Sequence, residues 1–208
     1  QRGYWQEAQK EIIKHLDEKI DQIKKYKTNL PPIKFNEHEG SYNHRAASSN
    51  KLISMDRNLV RNFEQKYQIE FCDLLDIKNS TIIHVKRGTD AKKLSHFFNQ
   101  ATVSATMLTY SQQFKIDLRI ILKQIADEFS VERFMQSKKI TIVYAITTKK
   151  DGPWSKIIPF FSKINLVETL RNLESLNLEV QLLKIEELPQ VSPEEAFTMN
   201  KGEFQCGI

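Results

Sequence analysis

Asp73, His84 and Lys86 are the residues of this chain whose types and spacing suit chemistry. They lie in QIEFCDLLDIKNSTIIHVKRG, residues 68–88, which reads as two short strands joined by a tight polar turn at Lys78-Asn79. A hairpin centred on that turn sets Asp73 opposite His84, Leu75 opposite Ile82, Phe71 opposite Lys86 and Glu70 opposite Arg87. Opposed residues share a sheet face, and so do alternate residues along each strand. The pattern therefore projects Asp73, His84 and Lys86 from one face and leaves Cys72, Leu74, Ile83 and Val85 as an apolar row on the other. An acid, an imidazole and an ammonium on one sheet surface form a candidate site for metal-assisted phosphodiester chemistry. The acid would hold a cation that polarises the phosphate, and the lysine would orient water or stabilise developing charge. The competing reading is a solvated hairpin face whose charges pair across the strands, where such pairs are worth under about 1 kcal/mol. A slip by one residue would separate the trio.

The elements around the hairpin must position it. Ile12, Ile13, Leu16, Ile20 and Ile23 recur at helical spacing and predict an amphipathic helix over Tyr4 to Lys27, ended by the stiff Asn29-Leu30-Pro31-Pro32. A short helix is expected over Glu37 to Ser49 and a first strand over Lys51 to Val60. After the hairpin, Thr89-Asp90 signals a helix start, followed by the apolar stripe Leu94, Phe97, Phe98, Ala101 and Ala105. A second helical stretch runs over Asp117 to Phe129. KITIVYAITT (139–148) is a near-continuous β-branched run of the kind buried on both faces. A helix over about Asn165 to Leu176 ends at Asn177, a left-handed cap, and EVQLLKI (179–185) is a last strand. The expectation is an α/β fold with a central mixed sheet, in the order helix-strand-strand-strand-helix-strand-helix-strand, behind an extra N-terminal amphipathic helix. Residues 1–30 read as a helical arm, 31–188 as the α/β domain and 189–208 as a tail.

Composition bounds the rest. With 208 residues, 40% apolar and 27% charged, the chain has the make-up of an ordinary globular protein, with no run long enough to cross a membrane. Cys72 falls in a strand and Cys206 in the tail, so no structural disulfide is expected and a reducing cytoplasm fits. No metal-binding cysteine spacing, phosphate-cradling glycine loop or serine elbow is present. A net charge of +5 is compatible with a phosphate-bearing partner without requiring one. The chain opens at Gln1-Arg2 without a methionine and reads as part of a longer polypeptide.

The order of elements, with an acid on the second strand and a lysine on the third, resembles the restriction-endonuclease-like PD-(D/E)xK superfamily. That resemblance implies a divalent metal, Mg²⁺ or Mn²⁺, and hydrolysis of nucleic acid, DNA more than RNA. Asp73 matches the first acid, His84 the second acidic position and Lys86 the lysine. Glu39, in EHEGSYNHRAA, resembles an additional acid carried on the preceding helix, so the implied metal set is Asp73, Glu39 and His84. Cys72 stands where the motif has proline. His84 replaces a carboxylate, and a neutral imidazole suits Mn²⁺ better than Mg²⁺. The segments EGSYNHRAA, IEFCDLLD, IIHVKRG, LSHFFNQATVSA and PFFSKINL also resemble the C-terminal part of a bacterial family known only as sporadically distributed, of unknown function.

Other residues carry two readings each. Glu39 is equally a helix-capping carboxylate. Asn43 and Arg45 fit either phosphate contacts or a salt bridge to a nearby acid, and Asp56 reads as a turn residue. Ser95, Asn99 and Gln100 fall where the superfamily places polar groups, but also fit a solvated helix face. Arg87, with Lys86, Lys92, Lys93, Lys149 and Lys150, could track a phosphate backbone. The leading expectation is a metal-dependent endonuclease in bacterial defence, with a homodimer left open. The alternatives are an inactive nucleic-acid-binding module, favoured by His84, and a protein-interaction module docking through its first helix.

Overall fold

The β-branched run at 139–148 forms strand β7 (Thr141–Thr147), and its six residues from Ile142 on are buried. It lies between two parallel neighbours, β6 (Thr81–Arg87) and β8 (Glu179–Ile185). A strand with partners on both edges and helices over both faces has no solvent side, which is why its sequence does not alternate. The computed structural model describes residues 2–56, 59–62 and 67–190. In it the central sheet has six strands, in the order β1-β8-β7-β6-β5-β2. Here β1 is Lys24–Lys25, β2 is Ile53–Ser54 and β5 is Leu74–Asp76. The β2-β5 and β5-β6 pairs are antiparallel and the other three are parallel, so the sheet is mixed. A separate two-stranded ribbon, β3 (Leu59–Asn62) with β4 (Tyr67–Glu70), is inserted between β2 and β5.

One sheet face carries Leu74, Ile83, Val85, Val143, Ala145, Leu183 and Ile185. It is covered by helix α2 (Glu39–Asn50) through Tyr42, Ala46 and Ala47. The small side chains at 46, 47 and 145 let helix and sheet approach closely. Tyr42 is fully buried, and its hydroxyl donates to the Pro31 carbonyl, tying the extended Pro31-Pro32 segment to the helix. The opposite face builds the larger core beneath α3 (Ala91–Tyr110), α4 (Gln112–Ile125), α5 (Glu128–Met135) and α7 (Phe160–Ser175). Asp90 caps α3 by accepting the Lys93 N–H, and Asn177 adopts the left-handed conformation expected after α7.

Several boundaries differ from the sequence reading. Helix α1 (Arg2–Asp21) stops short of Lys27, because residues 24–25 pair with β8 as the sheet's edge strand. Leu16 and Ile20 of α1 enter the main core, and the helix packs along α7 and the short α6 (Trp154–Ile157). Asp17 accepts from Lys163, and Asp21 accepts from the Ser155 N–H and hydroxyl. The stretch read as one strand over Lys51 to Val60 divides into β2 and β3, with Asp56 in the turn between. Helix α7 begins five residues before Asn165, straight after Pro159 at its N-cap. Most of the expected tail, with Cys206, lies outside the described residues.

The hairpin register is the expected one over Leu74↔Ile83, Leu75↔Ile82 and Asp76↔Thr81. It does not continue to Glu70 and Arg87. Glu70 pairs instead with Leu59 in the ribbon, and Cys72 packs in the main core with Phe71 and Leu75 rather than in the Leu74 row. The chain leaves the sheet at Asp73, and that departure opens the site.

Candidate functional site

Helix α2 starts at Glu39, with His38 as an extended N-cap whose side chain makes no capping hydrogen bond. Asn43 lies one turn later on the same side. These two, with Asp56 after β2, Glu70 at the end of β4, Asp73 before β5, His84, Val85 and Lys86 on β6, and Gln100 on α3, line one cavity of about 120 Å³. A wider hollow of about 530 Å³ runs along α1, but only residues 10–22 line it. It is the side of one helix, without convergent groups.

Asp73 anchors the cavity. Its Oδ2 accepts the Val85 N–H at 2.7 Å and its Oδ1 accepts Nδ2 of Asn43 at 3.1 Å. The side chain so takes over a sheet donor where β5 has ended. Burial pushes its pKa up to about 7, with the Val85 N–H pulling the other way and the charges of Glu70 and Glu39 adding to the rise. One carboxylate oxygen each of Asp56, Glu70 and Asp73 lie within 4.8 Å of one another. The Glu70 residue as a whole is exposed, yet its carboxylate faces the enclosed side; burial first and Asp56 second raise its pKa. Four carboxylates therefore surround the cavity against a single ammonium.

That ammonium is already engaged. Lys86 Nζ donates to Glu39 Oε2 at 2.9 Å, while Oε1 of Glu39 accepts the Arg87 N–H at 3.0 Å. His84 is 4% exposed, with its ring edge-on to Phe97 and tilted against Tyr144. Burial lowers its pKa to about 4, so the imidazole is neutral at physiological pH. Among the described residues, Nε2 of His84 and Oδ1 of Asn43 are buried without a hydrogen-bond partner. Gly40 is held by the same crowding: a Cβ there would stand 2.7 Å from Asp56 Oδ2.

The structure thus brings together Glu39, Asn43, Asp73, His84, Lys86 and Gln100, all singled out from the sequence. It does not bring the others. Arg45 grips both Glu37 oxygens and the Pro32 carbonyl, the salt-bridge alternative. Arg87 donates to the Glu37 carbonyl and pairs with Glu187. Ser95 bonds back to the Ala91 carbonyl, and neither it nor Asn99 lines the cavity. Asp56, read as a turn residue only, and Glu70, set opposite Arg87 in the hairpin, are the residues missed. The acidic FEQKYQIE-FCD neighbourhood held a signal for Glu70, but only the ribbon reveals where it turns.

The wall carries four carboxylates and an unpartnered amide oxygen, with the Lys86 ammonium bonded to Glu39 and the Val85 N–H to Asp73; Asp56, Glu70 and Asp73 bring their oxygens closest together. Such a donor set fits a divalent cation. In class this is an α/β protein with an acid-rich pocket at the rim of a mixed sheet. The chain belongs to a family of unknown function, DUF6119, whose profile matches residues 1–186. No curated protein and no solved structure matches it. No helix among the described residues is long and apolar enough to cross a membrane.

Proposed function

We propose that this protein is a metal-dependent phosphodiesterase acting on nucleic acid, DNA more than RNA, of the restriction-endonuclease-like kind. The observation that carries this reading is the meeting of Asp73, Lys86 and Glu39, remote in sequence, around one acid-rich cavity. The antiparallel succession β2, β5, β6, interrupted by the β3-β4 ribbon and followed by helices α3, α4 and α5 and the parallel strand β7, supports it. Asp73 stands at the head of the middle strand of that meander and Lys86 near the end of the next.

Asp73, Asp56 and Glu70 would hold the cation. A bound divalent cation supplies charge that polarises a phosphate and makes a bound water more acidic. Lys86 would orient the attacking water or take up charge on the phosphate oxygens, and Glu39 keeps its ammonium at the rim. Asn43 fixes one Asp73 oxygen, while its own Oδ1 is buried without a partner among the described residues. Without a cation the four carboxylates would repel a phosphate, so binding without metal would need the exposed Lys149-Lys150 loop instead.

A role in bacterial defence belongs to the same proposal and rests on resemblance. The test is a nicking assay on plasmid DNA and on RNA with Mg²⁺ or Mn²⁺. Cleavage lost in both Asp73→Asn and Lys86→Ala is expected; cleavage that survives both removes the mechanism. Salt-sensitive binding with no cleavage under either metal would select the non-catalytic alternative.

A further inference from the structure

We propose that Phe35, with Lys149 and Lys150 beside it, is a base-stacking subsite for an unpaired stretch of DNA whose scissile phosphate lies at the cavity. The inference deepens the phosphodiesterase reading and rests on it for the chemistry; what it adds is the kind of strand.

Phe35 is a large apolar side chain left in water, 37% exposed, on the loop that enters α2. That loop has no freedom to fold the ring away. Ile33 is fully buried, its N–H donating to the Glu186 carbonyl and its carbonyl accepting the Leu188 N–H. Lys34 and Glu37 close a turn on each other. The Glu37 N–H donates to the Lys34 carbonyl, and the Lys34 N–H donates to the Glu37 carboxylate. Asn36 between them sits at φ 60°, a left-handed conformation that asparagine tolerates. Arg45 grips the Glu37 carboxylate, and Arg87 donates to the Glu37 carbonyl. Phe35 is therefore displayed on a fixed frame, and a pre-organised aromatic loses little freedom when a base lies on it.

The cations stand beside the ring. Lys149 Nζ is 5.8 Å from the centroid of Phe35, and both Lys149 and Lys150 are exposed. A surface lysine over a phenyl ring is ordinary by itself. Its place in the fold gives it meaning. The lysine loop leaves the end of β7, where the Gly88 N–H donates to both the carbonyl and the hydroxyl of Thr147. Gly88 lies two residues beyond Lys86, and Phe35 lies four before Glu39, the hydrogen-bonded pair at the cavity rim. Four residues span at most about 14 Å, so the ring borders the rim. Asp151 and Glu187 nearby are neutralised by Lys184 and Arg87. A flat ring accepts the face of any base, and an ammonium accepts the adjoining phosphate. Bases stacked inside a duplex have no face to offer, so this subsite takes unpaired strand.

The experiment uses the full chain with Mg²⁺ and a short single-stranded DNA carrying aminopurine, whose emission falls on stacking. Binding is read in the Lys86→Ala background, where cutting is expected to be lost. Emission should be quenched on binding. Adding Phe35→Ala should abolish the quenching and weaken binding about tenfold, and Phe35→Trp should restore both. Affinity for a duplex of the same sequence should change by less than about twofold in Phe35→Ala. Lys149→Ala should reduce the salt slope of single-strand binding by about one. Unaltered single-strand affinity in Phe35→Ala overturns the proposal, as does an equal loss for strand and duplex, or binding without quenching. Cleavage is assayed on the same substitutions with Lys86 intact. Quenching without cleavage by wild type would sink the phosphodiesterase reading and leave the subsite standing. Single-strand cleavage that Phe35→Ala does not slow would sink the subsite alone, and no DNA binding would sink both.

Discussion

Lys86 and Glu39, 47 residues apart, are joined by a 2.9 Å hydrogen bond across the rim of the cavity. The other oxygen of Glu39 accepts the N–H of the residue following Lys86, so the carboxylate clasps β6 twice. Both side chains stay partly accessible, at 26% and 35%. On the proposed mechanism Glu39 is a positioning residue for the lysine. Glu39→Gln, which preserves an acceptor for the Arg87 N–H, should slow cleavage by about tenfold to a hundredfold while metal affinity stays within about threefold. A loss of metal affinity matching that of Asp73→Asn would make Glu39 a ligand instead.

Asp73 and His84 give opposite pH dependences of stability. The folded protein keeps the Asp73 proton up to about 7, whereas the unfolded chain releases it near 3.8. That contribution is full below pH 3.8 and lost as pH rises toward 7. His84 takes a proton only near 4 when folded but near 6.5 when unfolded, so its contribution is full above 6.5 and lost as pH falls toward 4. Each slope is at most about 1.4 kcal/mol per pH unit. Urea denaturation of metal-free protein should therefore show Asp73→Asn gaining on wild type as pH rises from 4 to 7. Over 4 to 6.5, His84→Phe should lose ground. Parallel curves for either variant would contradict the burial of that group.

Gly40 tests the crowding at the site. In Gly40→Ala the new methyl displaces the end of a flexible Asp56 side chain rather than backbone. The melting temperature should move little, while divalent-ion affinity falls by about tenfold. Calorimetric titration beside a thermal melt separates the two. Unchanged affinity would remove Asp56 from the cation set.

Arg45 should be structural. Its guanidinium holds Glu37 and the Pro32 carbonyl, and this contact keeps the Glu37 pKa low. Arg45→Ala should cost about 1–2 kcal/mol of stability in denaturant titration and leave KM for nucleic acid unchanged. A raised KM with unaltered stability would return Arg45 to the substrate surface.

The parts of the fold visible in the sequence are those written in local pattern. The β-branched run of β7, the seven residues of β8, the Asp90 cap and the Asn177 turn each follow from neighbours a few residues away. The site was half visible, because strand alternation aligned His84 with Lys86 and the turn aligned Asp73 with them. Asp56 and Glu70 were not, because alternation does not say where a ladder ends. Continued pairing would have matched Glu70 with Arg87, a good charge pair on paper. In the fold the chain prefers to bury Phe71 and Cys72 in the main core, and that swings Glu70 into the ribbon.

At Val85 a side chain does what main chain does elsewhere in the sheet: Asp73 Oδ2 receives an amide that a longer β5 would have met with a carbonyl. The hollow and the hairpin's length are consequently one variable. Were the two strands to zip up by a further residue pair, the aspartate would rotate into a rung, its oxygens would lose their inward aim, and the opening would seal. Lengthening this hairpin to make the protein sturdier should erase whatever the pocket does.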